Sequence, residues 1–175
     1  MDLKKEMNLK EYSMVSLISA PFLMLAGIFC LYFCCVQGHD LGKTGFPNLS
    51  FFAVFNMIGL LCEGFLTAFF GSLGIGALGS GIFMLADSAA SLIIFKKSKD
   101  KKRDLKKLSL VNKICFAVVF FLIVAVFEYN LVYAGIFGIM FSFYAACLTT
   151  LSLRAYIREI DKEILKTEDI ANEND

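Results

Sequence analysis

The sequence predicts an all-α integral membrane protein, a polytopic helical bundle with five transmembrane helices or, as the alternative, four. Hydrophobic residues make up 58% of the 175 residues and charged residues 19%, whereas soluble domains are closer to half apolar and a quarter charged. The mean hydropathy is +0.69. Apolar runs of about 20 residues, the length that crosses roughly 30 Å of hydrocarbon, recur along the chain. These runs must be helical, because an open strand would leave backbone groups unpaired in lipid.

The first three spans are predicted at 14–36, 51–70 and 73–95. The first run is too long for the apolar part of a signal peptide, and no small-x-small cleavage site follows it. The second and third runs are separated only by a glycine-containing stretch near Ser72, which predicts a tight turn. We therefore expect these two spans to form a hairpin.

The fourth and fifth spans are predicted at 111–127 and 131–151, separated by the polar turn Glu128-Tyr129-Asn130. Residues 96–113 are expected to form a basic cytosolic loop. The transmembrane bundle then covers 1–153, and 154–175 is a charged cytosolic helix with a disordered end. Its helical part carries an apolar stripe at helical spacing, Leu153, Ile157, Ile160 and Ile164.

The distribution of Lys and Arg predicts the orientation, because these residues are enriched on the cytosolic side. With five spans and the N-terminus outside, fourteen Lys and Arg are cytosolic and three are not. The C-terminus is then cytosolic. If 51–70 or 73–95 is re-entrant instead of spanning, the chain has four spans and a cytosolic N-terminus.

Small residues in the third span predict close helix packing. Ser72, Gly76 and Ser80 recur at every fourth position, and small residues at this spacing let two backbones approach in lipid. The packing partner is either another span of the same chain or a second subunit.

Two acids, Glu63 and Asp87, fall inside the second and third spans. A charged carboxylate at the bilayer centre costs at least about 2.5–3.5 kcal/mol. In the expected hairpin Glu63 lies roughly 14 Å and Asp87 roughly 22 Å from the turn, within reach of each other through a water. The candidates for an ion or proton path are Glu63, Asp87, Asn56, Thr67, Ser88 and Ser91. The alternatives are a polar pair that fixes helix packing, or an Asp87 that reaches toward the cytosolic interface.

A basic cluster, KKSKDKKRDLKK, follows the third span. Each Lys or Arg near an anionic membrane surface contributes about 1 kcal/mol of binding. The predicted headgroup contacts are Lys96, Lys97, Lys101, Lys102 and Arg103. No aromatic residues interleave with them, so nucleic acid is not an expected partner.

Catalytic and metal-binding patterns are scarce. All six cysteines fall in apolar segments, which argues against a disulfide framework. Cys30 and Cys34 lie one helical turn apart, but no nearby His or acid completes a metal site. His39 is expected to be a loop residue, since no hydrolase, metalloprotease or P-loop motif accompanies it. We predict neither a metal nor a cofactor.

The segment GSGIFMLADSAASLIIF, residues 79–95, resembles part of the lysoplasmalogenase-type membrane hydrolases. The resemblance implies a catalytic role for Asp87, although that family has about eight spans and this chain is too short for them. The same region, with its basic cluster and Asn112, is also similar to the membrane-spanning four-domain family. Both resemblances cover only a small part of the chain.

Together these features favour a non-enzymatic role. We expect a small subunit of a homo-oligomer or of a complex with other membrane proteins, with ion or small-solute transport near Glu63 and Asp87. A purely structural or assembly role is the alternative. A membrane-embedded lipid hydrolase, with Asp87 and Glu63 as acid and base, is the second alternative.

Overall fold

The computed structural model describes residues 8–41, 51–130 and 135–172, and the side chains of 8–36, 59, 61–126 and 139–166 among them. All regular secondary structure in this part of the chain is helical. It consists of α1 (Leu9–Leu41), α2 (Phe51–Lys97), α3 (Lys101–Asn130) and α4 (Gly135–Asn172). The prediction of an all-α protein is confirmed.

The prediction of five spans is wrong, because the expected hairpin does not form. α2 is one continuous helix of 47 residues, and Ser72 lies within it, donating its hydroxyl to the carbonyl of Phe69 at 2.9 Å. Three stretches are long and apolar enough to cross a membrane, Leu9–Val36, Leu61–Lys97 and Lys101–Val126. These helices are consistent with an integral membrane location and with four spans at most. The prediction of an outside N-terminus depended on five spans and therefore no longer follows.

The helices form two antiparallel pairs, α1 with α2 and α3 with α4, and the pairs meet through α2 and α4. Phe33 of α1 packs edge-on against Phe70 of α2, with ring centroids 4.8 Å apart. Phe69 of α2 stacks on Tyr144 of α4. α2 and α4 run in the same direction, and the outer helices α1 and α3 expose large apolar side chains, as lipid contact requires.

The glycines of α2 allow a close approach to α1. A Cβ on Gly27 would lie 2.6 Å from the backbone nitrogen of Leu78, and a Cβ on Gly74 would lie 2.9 Å from that of Leu31. Both distances are shorter than real Cβ contacts. The two helices therefore touch through their backbones, which is the small-residue packing expected in lipid.

A second face of the same stretch packs on α4. A Cβ on Gly76 would collide with the Leu148 side chain, and one on Gly79 would lie 2.5 Å from Thr149 Cγ2. Ser72 and Ser80, the other members of the predicted small-residue row, are buried. Gly76, the middle member of this row, thus packs against a helix of the same chain.

Most of the predicted basic loop is helical. Only residues 98–100 separate α2 from α3, and α3 begins with Asp100 as its N-cap, where Oδ1 accepts a hydrogen bond from the Arg103 backbone at 3.1 Å. An acidic N-cap satisfies a free N–H group of the first turn. Residues 101–113 therefore continue into the third spanning helix.

All four helices meet at this basic end in one small apolar core. It consists of Leu9, Leu105, Tyr156, Ile160 and Ile164, and Ile94 and Phe95 of α2 pack against it. Leu9 opens α1 and Ile164 lies near the end of α4, so both ends of the described chain are at the same end of the bundle. Ile160 and Ile164 of the apolar stripe of α4 belong to this core, and α4 continues to Asn172. Residues 173–175, the end of the predicted disordered tail, lie outside the described part.

Candidate functional site

Several buried polar side chains lie near this core on α2, α3 and α4, and we call them the polar layer. α2 contributes Asp87, Ser88 and Ser91, α3 contributes Asn112, and α4 contributes Ser152. Asn112 neighbours the Asp87 carboxyl group. Asp87 and Ser91 are one helical turn apart and so share a face of α2.

Tyr156 joins the layer to the apolar core. Its side chain is fully buried, and its Oη lies 2.6 Å from Ser88 Oγ. Ser88 donates its hydroxyl hydrogen to the Met84 carbonyl, so Tyr156 donates to Ser88. The Tyr12 ring of α1 packs edge-on against Tyr156, with centroids 5.0 Å apart. All four helices therefore contribute to this region.

Four polar atoms of the layer have no hydrogen-bond partner in the described part of the chain: Asp87 Oδ2, Ser91 Oγ, Asn112 Nδ2 and Ser152 Oγ. Their residues are at most 5% exposed. Other hydroxyls in the bundle bond to carbonyls of their own helix, as Thr149 and Thr150 do at 2.8 Å. A buried polar group without a partner costs several kcal/mol in hydrocarbon, so this cluster is the unusual one.

No described Lys or Arg forms an ion pair with Asp87. The nearest basic residue along α3, Lys113, pairs with Asp161 of α4 at 2.9 Å. Ser109 donates to the other Asp161 oxygen at 2.6 Å. Partial burial raises the pKa of Asp161, but the bonds from Ser109 and Lys113 and the Lys113 charge outweigh it, so its pKa is lowered. Asp161 therefore stays ionised, and its ion pair with Lys113 links α3 to α4.

Glu63 does not pair with Asp87, contrary to the geometry expected for a hairpin. The two residues are 24 positions apart on one helix, which separates them by roughly 36 Å. Glu63 is exposed. The Thr67 hydroxyl donates to the backbone carbonyl of Glu63 at 2.8 Å, one turn earlier in the same helix, and does not bond to the Glu63 carboxylate. The side chain of Asn56 lies outside the described residues.

Of the predicted path residues, the structure brings together Asp87, Ser88 and Ser91. Sequence reasoning missed two buried polar residues of α4: Tyr156, which is the partner of Ser88, and Ser152. Their spacing of four residues on a helix and their polarity in an apolar stretch were the available signals. The predicted headgroup contacts Lys96, Lys97, Lys101 and Arg103 are exposed, and Lys102 is half-buried.

The described residues offer neither a metal-binding group nor the acid and base of a hydrolase. Within the described residues no three His, Cys, Asp or Glu side chains form a metal-binding group. A hydrolase with Asp87 and Glu63 as acid and base would need the two carboxyls near one substrate, and the continuous α2 separates them. No known protein family matches the chain, and no curated protein or solved structure shows significant similarity to it.

Proposed function

We propose that this chain is a non-enzymatic, four-span membrane subunit that works in an assembly with further copies or with other membrane proteins. Both termini and the basic end of the bundle face the cytosol. The observation that carries the proposal is the length of α2, whose distal apolar surface extends beyond what a bilayer covers.

The length argument starts from Asp87, because its neighbour Asn112 precedes Lys113 of α3, which marks the membrane surface at the basic end. Phe51, the first residue of α2, is 36 residues away along the helix, or about 54 Å. Even a tilt of 40°, the upper end of the usual range, leaves about 41 Å along the membrane normal, more than the roughly 30 Å of hydrocarbon. At the average tilt of about 20°, Leu61 and Glu63 also lie beyond the hydrocarbon.

The apolar neighbours of Glu63 are strongly exposed. Leu61 is 69% and Leu66 46% exposed, and added Cβ atoms on Gly59 and Gly64 would meet open space. Such an apolar surface in water favours association with another protein. A partner that packs against this distal part of α2 would cover it and would meet Glu63 as a polar contact.

The assembly is tested by the mass of the particle in mild detergent, measured by native mass spectrometry. We expect a mass well above the 19.5 kDa of one chain. The double variant Leu61→Ser, Leu66→Ser is expected to shift most of the particle to the single chain. The control is Phe121→Ser, on the lipid-facing side of α3, where the side chain is 70% exposed and the assembly should persist. A wild-type particle of one chain would refute the proposal.

The orientation follows from the four-helix arrangement and the positive-inside rule. Every Lys and Arg except Lys43 belongs to the segment before α1, to its first turns, to the α2–α3 region or to the second half of α4. Lys43 lies in the segment that connects α1 to α2. The basic end is therefore the cytosolic end.

Cysteine labelling checks this orientation. In a cysteine-free variant on sealed cells, a membrane-impermeant maleimide should label Lys43→Cys directly and Lys99→Cys only after permeabilisation. The expected ratio of labelling before and after permeabilisation differs at least about tenfold between the two, since Lys on the wrong side is strongly disfavoured. Labelling of Lys99→Cys on intact cells would reverse the orientation.

Ion carriage is the second candidate function, favoured by the unpaired polar atoms around Asp87. Asp87 would act without Glu63. The interface of α2 and α4 is closed where Gly76 meets Leu148, so passage across the membrane would require these two helices to separate.

A further inference from the structure

We infer that the basic start of α3 binds a membrane lipid whose headgroup carries phosphomonoesters, of the phosphorylated inositol class. The site is the headgroup patch, which consists of Arg103, Lys106 and Lys107. The inference goes beyond a general attraction of basic residues to anionic membranes, because it names one patch and one class of headgroup. It rests on α3 crossing the membrane and is independent of whether the chain assembles.

The three cations of the headgroup patch are neighbours on one helix face. Arg103 is one turn from both Lys106 and Lys107, and side chains three or four positions apart have their Cβ atoms about 5–6 Å from each other. All three are exposed and line one shallow groove, which Leu110 also lines. A guanidinium binds phosphate through two parallel N–H groups, and the two ammonium groups add positive charge beside it.

The segment around the patch carries an excess of positive charge. Residues 99–107 hold six Lys or Arg against two Asp. Asp100 caps the first turn of α3, and Asp104 accepts a hydrogen bond from Ser98 Oγ at 2.7 Å. The described ion pairs of the chain include neither Arg103 nor Lys107. Like charges one turn apart destabilise a helix, so a ligand with several negative charges would stabilise this one.

Next to the patch, the exposed side of α3 becomes apolar. Leu110 is 60%, Ile114 56% and Val118 56% exposed, and they follow Lys106 at intervals of one helical turn. A cationic patch that continues into an apolar stripe matches a lipid, because the charged headgroup and the acyl chains of a lipid are joined in the same order. A soluble phosphate compound would contact the patch alone.

The distance of the patch from the membrane favours one class of headgroup. Lys106 and Arg103 precede Lys113, which marks the membrane surface, by about 10 and 15 Å along α3. The polar region on one side of a bilayer is only about 5–8 Å thick. Helical side chains also point toward the N-terminus, which here is away from the membrane. The phosphodiester of a simple anionic lipid therefore does not reach the patch, whereas phosphomonoesters on an inositol ring project toward it.

The test is a titration of the full-length protein in a mild, uncharged detergent, with bound lipids counted by native mass spectrometry. Phosphatidylinositol 4,5-bisphosphate and phosphatidic acid are added in separate series. Phosphatidic acid also carries a phosphomonoester, but holds it at the level of the phosphodiester. We expect the bisphosphate to bind at least about tenfold more tightly. Equal affinities would overturn the inference in favour of general attraction to anionic lipid.

Two double variants locate the site. Arg103→Gln with Lys107→Gln should raise the Kd of the bisphosphate roughly thirtyfold, or about 2 kcal/mol, the effect of two charges near an anionic surface. The matched control, Arg158→Gln with Lys162→Gln, removes two cations of α4 at the same end of the bundle and should change Kd by less than about threefold. All four side chains are exposed, so both variants should fold, and Tm in the same detergent checks this.

An equal loss of affinity in the two double variants would overturn the inference, because total charge and not the headgroup patch would then hold the lipid. Soluble inositol 1,4,5-trisphosphate lacks acyl chains and should bind more weakly than the lipid. Equally tight binding would overturn the lipid assignment in favour of a free phosphate compound. The same spectra give the number of chains, so a lipid-binding particle of one chain would refute the proposed assembly and support this inference.

Discussion

Gly27→Ala is expected to drive α1 away from α2 and to destabilise the bundle. The added Cβ would lie 2.6 Å from the Leu78 backbone nitrogen and 2.9 Å from the Gly74 carbonyl oxygen. Backbone atoms cannot rotate away as a side chain can, so the helices themselves must shift. Overpacking of this kind costs about 1–3 kcal/mol, occasionally more.

The measurement is Tm in a fixed detergent, where we expect a decrease on the order of 5–10 °C. Gly64→Ala is the matched control on α2, because nothing lies within 4 Å of its added Cβ. Alanine favours a helix over glycine by about 1 kcal/mol, so this control should keep or slightly raise Tm. Equal Tm values for the two variants would show that the close approach of α1 and α2 does not exist.

Tyr156→Ala is expected to have the second large effect, since it empties the centre of the basic-end core. Tyr156 is fully buried, contacts the Tyr12 ring and donates to Ser88. Removing a buried aromatic ring typically costs about 3–5 kcal/mol. Because all four helices meet around this side chain, the loss should appear in the unfolding of the whole bundle.

Tyr156→Phe separates the ring from its hydroxyl. It removes one hydrogen bond, and Ser88 keeps its bond to the Met84 carbonyl, so the expected cost is only about 0.5–1.5 kcal/mol. Tyr144→Ala is the control on the same helix: its ring stacks on Phe69 but is 37% exposed. Thermal unfolding in detergent should rank Tyr156→Ala as least stable. A loss for Tyr144→Ala as large as for Tyr156→Ala would contradict a core centred on Tyr156.

The glycines show where sequence reasoning stopped. Five of the eleven residues in 71–81 are glycine, and glycine suits both a turn and a close helix contact. The choice depends on what faces the glycines. Gly27 of α1, about 50 residues earlier, and Leu148 of α4, about 70 residues later, supply those surfaces, and no local pattern announces them.

The distance between the two acids, Glu63 and Asp87, also depends on whether the chain turns near Ser72. Asp87 was recognised from the sequence as an exceptional residue, and so was Glu63. The distance between them could not be predicted, because a turn near Ser72 brings them together whereas a continuous α2 separates them by roughly 36 Å. The partners of Asp87 on α3 and α4 likewise appear only once the helices pack.

By itself, the sequence determined that the chain is helical, that its helices are long and apolar enough to cross a membrane and that its basic residues gather in a few segments. These properties follow from hydropathy and charge, which are sums over local residues and need no knowledge of neighbours. Only the tertiary structure decided that α2 is unbroken, that its glycines face α1 and α4, and that Asp87 is enclosed beside Asn112. These properties depend on contacts between segments far apart in the sequence. The shape and polarity of those segments decide whether a short stretch turns or stays helical and which side chains it buries.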